Sequence, residues 1–123
     1  ILGAQYVNPD IKVCVSYVGN YQDAAKAKDL GVQDINNGAD VLHQVAGSAG
    51  NGYLEAAMEA GKWGIGVDSD QKYIDPEVIV CSMCKEVGDS IYDAMKQYME
   101  KGDDCGLFGT TWIAEKIPSA GKY

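Results

Sequence analysis

Short β-branched runs alternate with stretches of helical spacing along this chain, and that alternation limits the fold more than any single motif does. Lys12–Val18 (KVCVSYV) reads as a strand. From Gln22 to Asn37, Ala24, Ala25, Ala27, Val32 and Ile35 recur at roughly helical spacing, and Asn37-Gly38 closes the segment as a glycine C-cap. Val41–Ala46 is a second strand. The glycine-rich bend Gly47–Gly52 then leads into a helix over Tyr53–Ala60 that Gly61 caps. Trp63–Val67 is a third strand, Asp75-Pro76 predicts an extended linker, and Val78–Met83 is a fourth strand. Glu86–Lys101 follows as an amphipathic helix with Val87, Ile91, Tyr92, Met95 and Met99 on one face, and Cys105–Phe108 is a last strand. The order β-α-β-α-β-β-α-β predicts an α/β fold, a mostly parallel sheet with helices on both faces, with the relative direction of the third and fourth strands left open.

With 123 residues, 46% of them hydrophobic, the chain is long enough to bury a core as a single domain without staples. A net charge of −8 with no Lys/Arg cluster argues against nucleic acid or an anionic membrane surface as partner, since both are bound chiefly by neutralising phosphates. No apolar run approaches the roughly 18 residues of a membrane span, and no signal peptide is visible. Residue 1 is Ile, and Ile1–Tyr6 looks like the last turns of a helix, so the chain is expected to be a fragment of a longer protein. Of its four cysteines, Cys81 and Cys84 have C-x-x-C spacing, but on a strand residues three apart face opposite ways and do not easily chelate one ion. Buried, reduced thiols are the expectation for all four, with zinc binding or redox chemistry as the alternative.

Trp63–Gln71 (WGIGVDSDQ) is the stretch where chemistry should sit. It is a small, apolar strand that ends abruptly in two carboxylates and an amide, and ligands bind at the carboxyl ends of the strands of an open parallel sheet. Three readings of Asp68 and Asp70 stay open: a turn, a carboxylate accepting two hydrogen bonds from the vicinal diol of a sugar, or an Asp-x-Asp holding Mg²⁺ or Mn²⁺ for a sugar-nucleotide transferase. Gly47–Gly52 matches neither G-x-x-x-x-G-K-[ST] nor G-x-G-x-x-G, so it is a tight bend, with or without a ligand close to its backbone. His43, the only histidine, is expected as a satisfied core residue or as a flat ring stacking on a planar ligand. Lys85 follows the fourth strand and is either a cation close to Asp68 or an ordinary solvated lysine. These residues contain no nucleophile–base–orienter set and no complete metal set, so they predict a ligand-binding domain without cofactor rather than an enzyme.

Four segments in order carry a family resemblance: Tyr17–Lys26 (YVGNYQDAAK), Gly38–Gly47 (GADVLHQVAG), Gly66–Gln71 (GVDSDQ) and Ser82–Lys85 (SMCK). Together they resemble successive motifs of the basic membrane protein family, the purine nucleoside receptor lipoproteins of bacterial ABC transporters. The resemblance implies a type I periplasmic-binding-protein fold of two α/β lobes around a cleft, of which residues 1–123 form the second, sugar-side lobe. It implies that Asp68 accepts the ribose hydroxyls, that Lys85 binds on the ribose side, and that Val18, His43 and Gly47 line the cleft. Tyr21 is also expected among the ligand-binding residues. The chain departs from the family at three positions: His43 stands where the family usually has an aromatic such as Phe, and Tyr21 and Ala24 stand where the first loop usually has Phe and Pro. It further implies a monomeric receptor anchored outside the cytoplasm as a lipoprotein, binding guanosine, inosine or adenosine and delivering it to an ABC permease. A regulatory or sensor protein on the same fold is the remaining alternative.

Overall fold

The computed structural model describes residues 1–102. Its elements are α1 (Leu2–Val7), α2 (Ala24–Asn36), β1 (Val41–His43), a 3₁₀ turn (Gly47–Ala49), α3 (Gly50–Glu59), β2 (Trp63–Asp68), β3 (Ile79–Cys84) and α4 (Val87–Lys101). The three strands form one sheet in the order β1-β2-β3. Trp63 N–H donates to Asp40 C=O at 3.1 Å, so β1 and β2 begin side by side. Lys85 N–H donates to Asp68 C=O at 2.9 Å, so β2 and β3 end side by side. Both pairs are therefore parallel, which settles the direction left open by the missing helix between the last two strands. The chain has an α/β fold. Two compact units make it up, Ile1–Gly64 and Ile65–Tyr123.

In the first unit, Asn20 starts α2 by accepting the N–H groups of Gln22 (2.9 Å) and Asp23 (2.8 Å), and the Asp23 carboxylate then caps Lys26 N–H at 3.0 Å. This cap places the first helical residue at Ala24 rather than Gln22. Small residues let α2 and α3 approach closely: Ala27 and Gly31 on one helix, Gly52, Ala56 and Ala57 on the other, all buried. A Cβ at Gly52 would run into the backbone carbonyl of Ala24, so this contact tolerates no side chain. Leu42 and Leu54 are fully buried in this unit. Truncating either to Ala would cost about 2–5 kcal/mol. At the helix surface Lys28 bridges Glu55 (3.1 Å) and Glu59 (2.8 Å), and the hydrogen bonds to Glu59 and Glu55 raise its pKa.

Asp34 of α2 is buried and accepts hydrogen bonds from Ser16 Oγ (3.0 Å) and Tyr53 OH (2.8 Å), tying the 11–18 segment and α3 to one carboxylate. Burial, and then the bond to Asp34, push the Tyr53 phenol well above its usual range.

Several expectations change. Residues 12–18 are not a strand of the described sheet: Val13, Val15 and Tyr17 are exposed and the segment carries no regular assignment. β propensity measures fit to a pleated, half-buried surface, and among the described residues no neighbouring strand supplies one. β1 stops at His43 because Gln44 turns inward, buried, and its Oε1 accepts the Ala46 N–H at 3.1 Å. α3 begins inside the glycine-rich bend, at Gly50.

Asp75-Pro76 makes a turn instead of an extended linker: the Asp75 carboxylate accepts the N–H groups of Glu77 (2.9 Å) and Val78 (3.2 Å), and its carbonyl accepts that of Ile79 (2.9 Å). In the second unit Ile79 and Val67 are buried, while Val87, Ile91, Tyr92, Met95 and Met99 of α4 are exposed among the described residues. Cys14 and Cys81 are exposed and Cys84 is half-buried, all three as free thiols, which corrects the expectation of burial. Strand β3 lies at an edge of the described sheet, and Cys14 lies in the unpaired 11–18 segment. Cys105 and the strand expected over Cys105–Phe108 lie outside the described residues. No helix among the described residues is long and apolar enough to cross a membrane.

Candidate functional site

Strand β2 delivers Asp68 to the carboxyl edge of the sheet in an uncommon conformation. Its φ is +69°, the one left-handed value at a non-glycine residue among those described. An L-residue adopts that region at a cost of about 1–2 kcal/mol, with Asp and Asn the most tolerant side chains. Such strain persists only where the surroundings hold it, and it concentrates at functional positions.

Four neighbours supply the hold. The Asp68 carbonyl accepts Lys85 N–H from the end of β3, and Ser69 N–H closes a tight turn onto the Val67 carbonyl at 2.9 Å. Gln71, buried at 9% exposure, folds back so that its Oε1 accepts Val67 N–H at 2.9 Å, while its own N–H donates to Ser82 Oγ at 3.0 Å. Gly66 leaves room for this: a Cβ there would stand 2.5 Å from Ser82 Oγ and 2.8 Å from Gln71 Cβ.

The side chains of Asp68 and Lys85 meet at 2.7 Å, Oδ1 to Nζ, with 54% and 55% of their surfaces still open. A half-open pair of this kind adds only about 0–1 kcal/mol to stability, so the geometry is not explained by folding energy. What it provides is a fixed carboxylate acceptor beside a fixed ammonium donor, open to solvent, at the ends of two parallel strands. Such a pair suits a ligand with adjacent hydroxyl groups, because the ionised carboxylate can take two hydrogen bonds and the ammonium can give one.

A metal reading finds less to stand on. Lys85 already engages Asp68, Asp70 Oδ1 accepts Lys72 N–H at 3.0 Å, and among the described residues no group of three or more His, Cys, Asp or Glu could hold an ion.

The first unit assembles a second group of the expected residues. The Tyr21 carbonyl accepts Ser48 Oγ (2.7 Å) and Ala49 N–H (2.9 Å), so the first loop and the glycine bend are joined. Gly47, at φ +56°, lies where a Cβ would be 3.3 Å from that of Tyr21, whose ring is exposed. Val18 is half-buried just before the turn at Gly19, and neither it nor His43 is hydrogen-bonded to Tyr21 or Gly47 among the described residues. His43 is exposed on β1, where strand alternation turns it away from the face of buried Leu42, which corrects its reading as a core residue. Desolvation still lowers its pKa, with a smaller contribution from the amino terminus.

Sequence reasoning named Asp68 and Lys85 but gave no role to Gln71, Ser82 or Gly66. The sequence shows an amide three residues after Asp68 and a glycine two residues before Asp68, but neither discloses the contacts that these residues make.

The family model Bmp, described as ABC transporter substrate-binding protein PnrA-like, matches residues 1–107. The chain belongs to this family. Among Bmp relatives, basic membrane protein A1 of Borrelia garinii subsp. bavariensis is 36% identical over 100 residues, covering 80% of this chain and 30% of the relative. The ABC transporter nucleoside-binding protein BmpA of Lactococcus lactis subsp. cremoris is 37% identical over 138 residues, covering 98% of this chain and 38% of the relative. A crystal structure of an ABC transporter system solute-binding protein from Aeropyrum pernix K1 superposes with a TM-score of 0.65 at 31% identity, over 80% of this chain and 29% of that one. The chain thus spans about a third of the length of these three proteins. It is similar to the Borrelia and Lactococcus proteins in sequence, and to part of the Aeropyrum solute-binding protein in both sequence and fold.

Proposed function

We propose that this chain is the sugar-side lobe of a longer, two-lobed nucleoside receptor, lipid-anchored outside the cytoplasm, which hands a purine nucleoside to an ABC permease. It is a binder and not a catalyst. The observation that carries the reading is the open Asp68–Lys85 pair at the carboxyl edge of β2 and β3, held in place by a strained backbone. The family supports it, as does the nucleoside-binding description of the Lactococcus relative.

In the working receptor the Asp68 carboxylate accepts the ribose 2′- and 3′-hydroxyls and Lys85 donates to a ribose oxygen. The partner lobe supplies most contacts to the base. Half a cleft leaves much of the ligand in water, so the isolated lobe binds weakly. Titration calorimetry of the full-length protein with inosine and guanosine tests this. Asp68→Ala should weaken both at least tenfold, and unchanged affinity would remove the assignment.

A further inference from the structure

We infer that Gln71, together with Ser82 and the side-chain-free position at Gly66, is a positioning device that fixes the Asp68 carboxylate for a vicinal diol. The inference rests on the reading of Asp68 as the diol acceptor, and it concerns residues that do not themselves reach the ligand.

The chain leaving β2 has to hold Asp68 at φ +69°. A freely hinged loop would relax to a commoner conformation and carry the carboxylate with it. Gln71 prevents this at two points. Its side chain accepts the N–H of Val67, the residue just before Asp68, at 2.9 Å, so the last peptide of the strand is tied to the loop that follows. Its backbone N–H donates to Ser82 Oγ at 3.0 Å, so the loop is tied in turn to β3, the strand that leads to Lys85. The side-chain bond is buried and joins residues only four apart, which makes a small closed ring through Asp68, Ser69 and Asp70.

Gly66 completes the arrangement, because any Cβ at that position would take the space of Gln71 and Ser82. An amide buried at 9% exposure inside a loop bearing two exposed carboxylates is not needed for solubility. Water could satisfy Val67 N–H if the loop opened, so the conformation that the ring selects is what it adds.

The chemistry fits a diol in particular. Two adjacent hydroxyls at fixed separation reach both oxygens of a carboxylate only if its plane is fixed, whereas a ligand with no hydroxyls at those carbons gains nothing from that orientation. Gln71 therefore acts on the discrimination between ribose and dideoxyribose rather than on affinity in general.

The test uses the full-length protein and two probes, inosine and 2′,3′-dideoxyinosine, titrated by calorimetry into wild type, Asp68→Asn, Gln71→Met and Ser82→Ala. Gln71→Met keeps side-chain length and removes the acceptor. Ser82→Ala cuts only the tie to β3 and serves if the first variant does not fold. The expected result is a fall in inosine affinity of fivefold or more in Gln71→Met, a smaller fall in the same direction in Ser82→Ala, and dideoxyinosine affinity within twofold of wild type in both. Combining Gln71→Met with Asp68→Asn should then add little further loss. Equal weakening of both probes, which a merely structural role would give, overturns the positioning role, as does unchanged inosine binding. If Asp68→Asn itself leaves the preference for inosine intact, the diol reading of Asp68 has failed and the inference falls with it. Loss of preference in Asp68→Asn but not in the Gln71 and Ser82 variants overturns the positioning role alone.

Discussion

Replacing Asp68 by Asn and by Ala separates its binding role from its backbone role. Asn is isosteric with Asp and tolerates a left-handed backbone almost as well, so at φ +69° it retains the fold of the loop and removes only the charge. The lost ion pair is half open on both sides, which limits its stability effect to about 0–1 kcal/mol. Binding is affected far more. A hydrogen bond to a charged acceptor is worth about 1.5–3 kcal/mol and one to a neutral acceptor about half of that. Two hydroxyls on a carboxylate becoming one or two on an amide therefore lose roughly 1.5–3 kcal/mol, or about 10- to 150-fold in Kd. Asp68→Ala removes the acceptor altogether, so it loses more binding energy than Asn, and it also places an ordinary side chain at positive φ, adding about 1–2 kcal/mol of instability that Asn avoids. Thermal melts and nucleoside titrations of the full-length protein read the two effects separately. The expected pattern is two weakened variants of which Ala binds the worse and melts at the lower temperature. An Asn variant that binds within twofold of wild type, or that melts below the Ala variant, would refute the reasoning.

Other substitutions probe the frame. Gly52→Ala places a methyl against the Ala24 carbonyl, and since backbone cannot step aside as a flexible side chain can, it should destabilise by about 1–3 kcal/mol or more in chemical denaturation. Lys28→Ala removes two exposed ion pairs, so its effect on melting should be smaller than that of Gly52→Ala and should fade with added salt. Tyr53→Phe removes one of the two hydrogen bonds that the Asp34 carboxylate accepts from Tyr53 and Ser16, and should cost about 1–2 kcal/mol at neutral pH. The Tyr53 phenol has a folded pKa raised above its unfolded value near 10, so its contribution is fully present below about pH 10 and is lost as pH rises beyond that. Wild type should therefore lose stability more steeply than Tyr53→Phe in alkaline denaturation, and parallel curves would contradict the assignment.

The elements legible in the sequence are those whose local chemistry and burial agree. α2 has an Asx turn, an Asp cap and a small-residue face, and β2 has alternating small and apolar residues that stop at Asp68; both appear within a residue or two of expectation. Lys12–Val18 misled because its β-branched composition says nothing about whether a neighbouring strand is there to pair with. The Asp75-Pro76 turn was missed because Asp75 supplies a carboxylate that captures the following N–H groups, a contact stronger here than the extended bias of a residue before proline.

At the site, Asp68 and Lys85 could be named from residue type and strand position, and in the structure their side chains lie 2.7 Å apart. Gln71 was not legible as a support. Its importance comes from a side chain that turns back on its own strand, and only the folded loop shows that path.

A crystal structure of the full-length protein with inosine bound tests the central claim most directly. The account predicts the Asp68 carboxylate within about 2.5–3.0 Å of both ribose hydroxyls, the Lys85 ammonium on the same side of the sugar, and Gln71 still closed on Val67. A nucleoside seated elsewhere, with Asp68 and Lys85 paired to each other and touching only solvent, would contradict it.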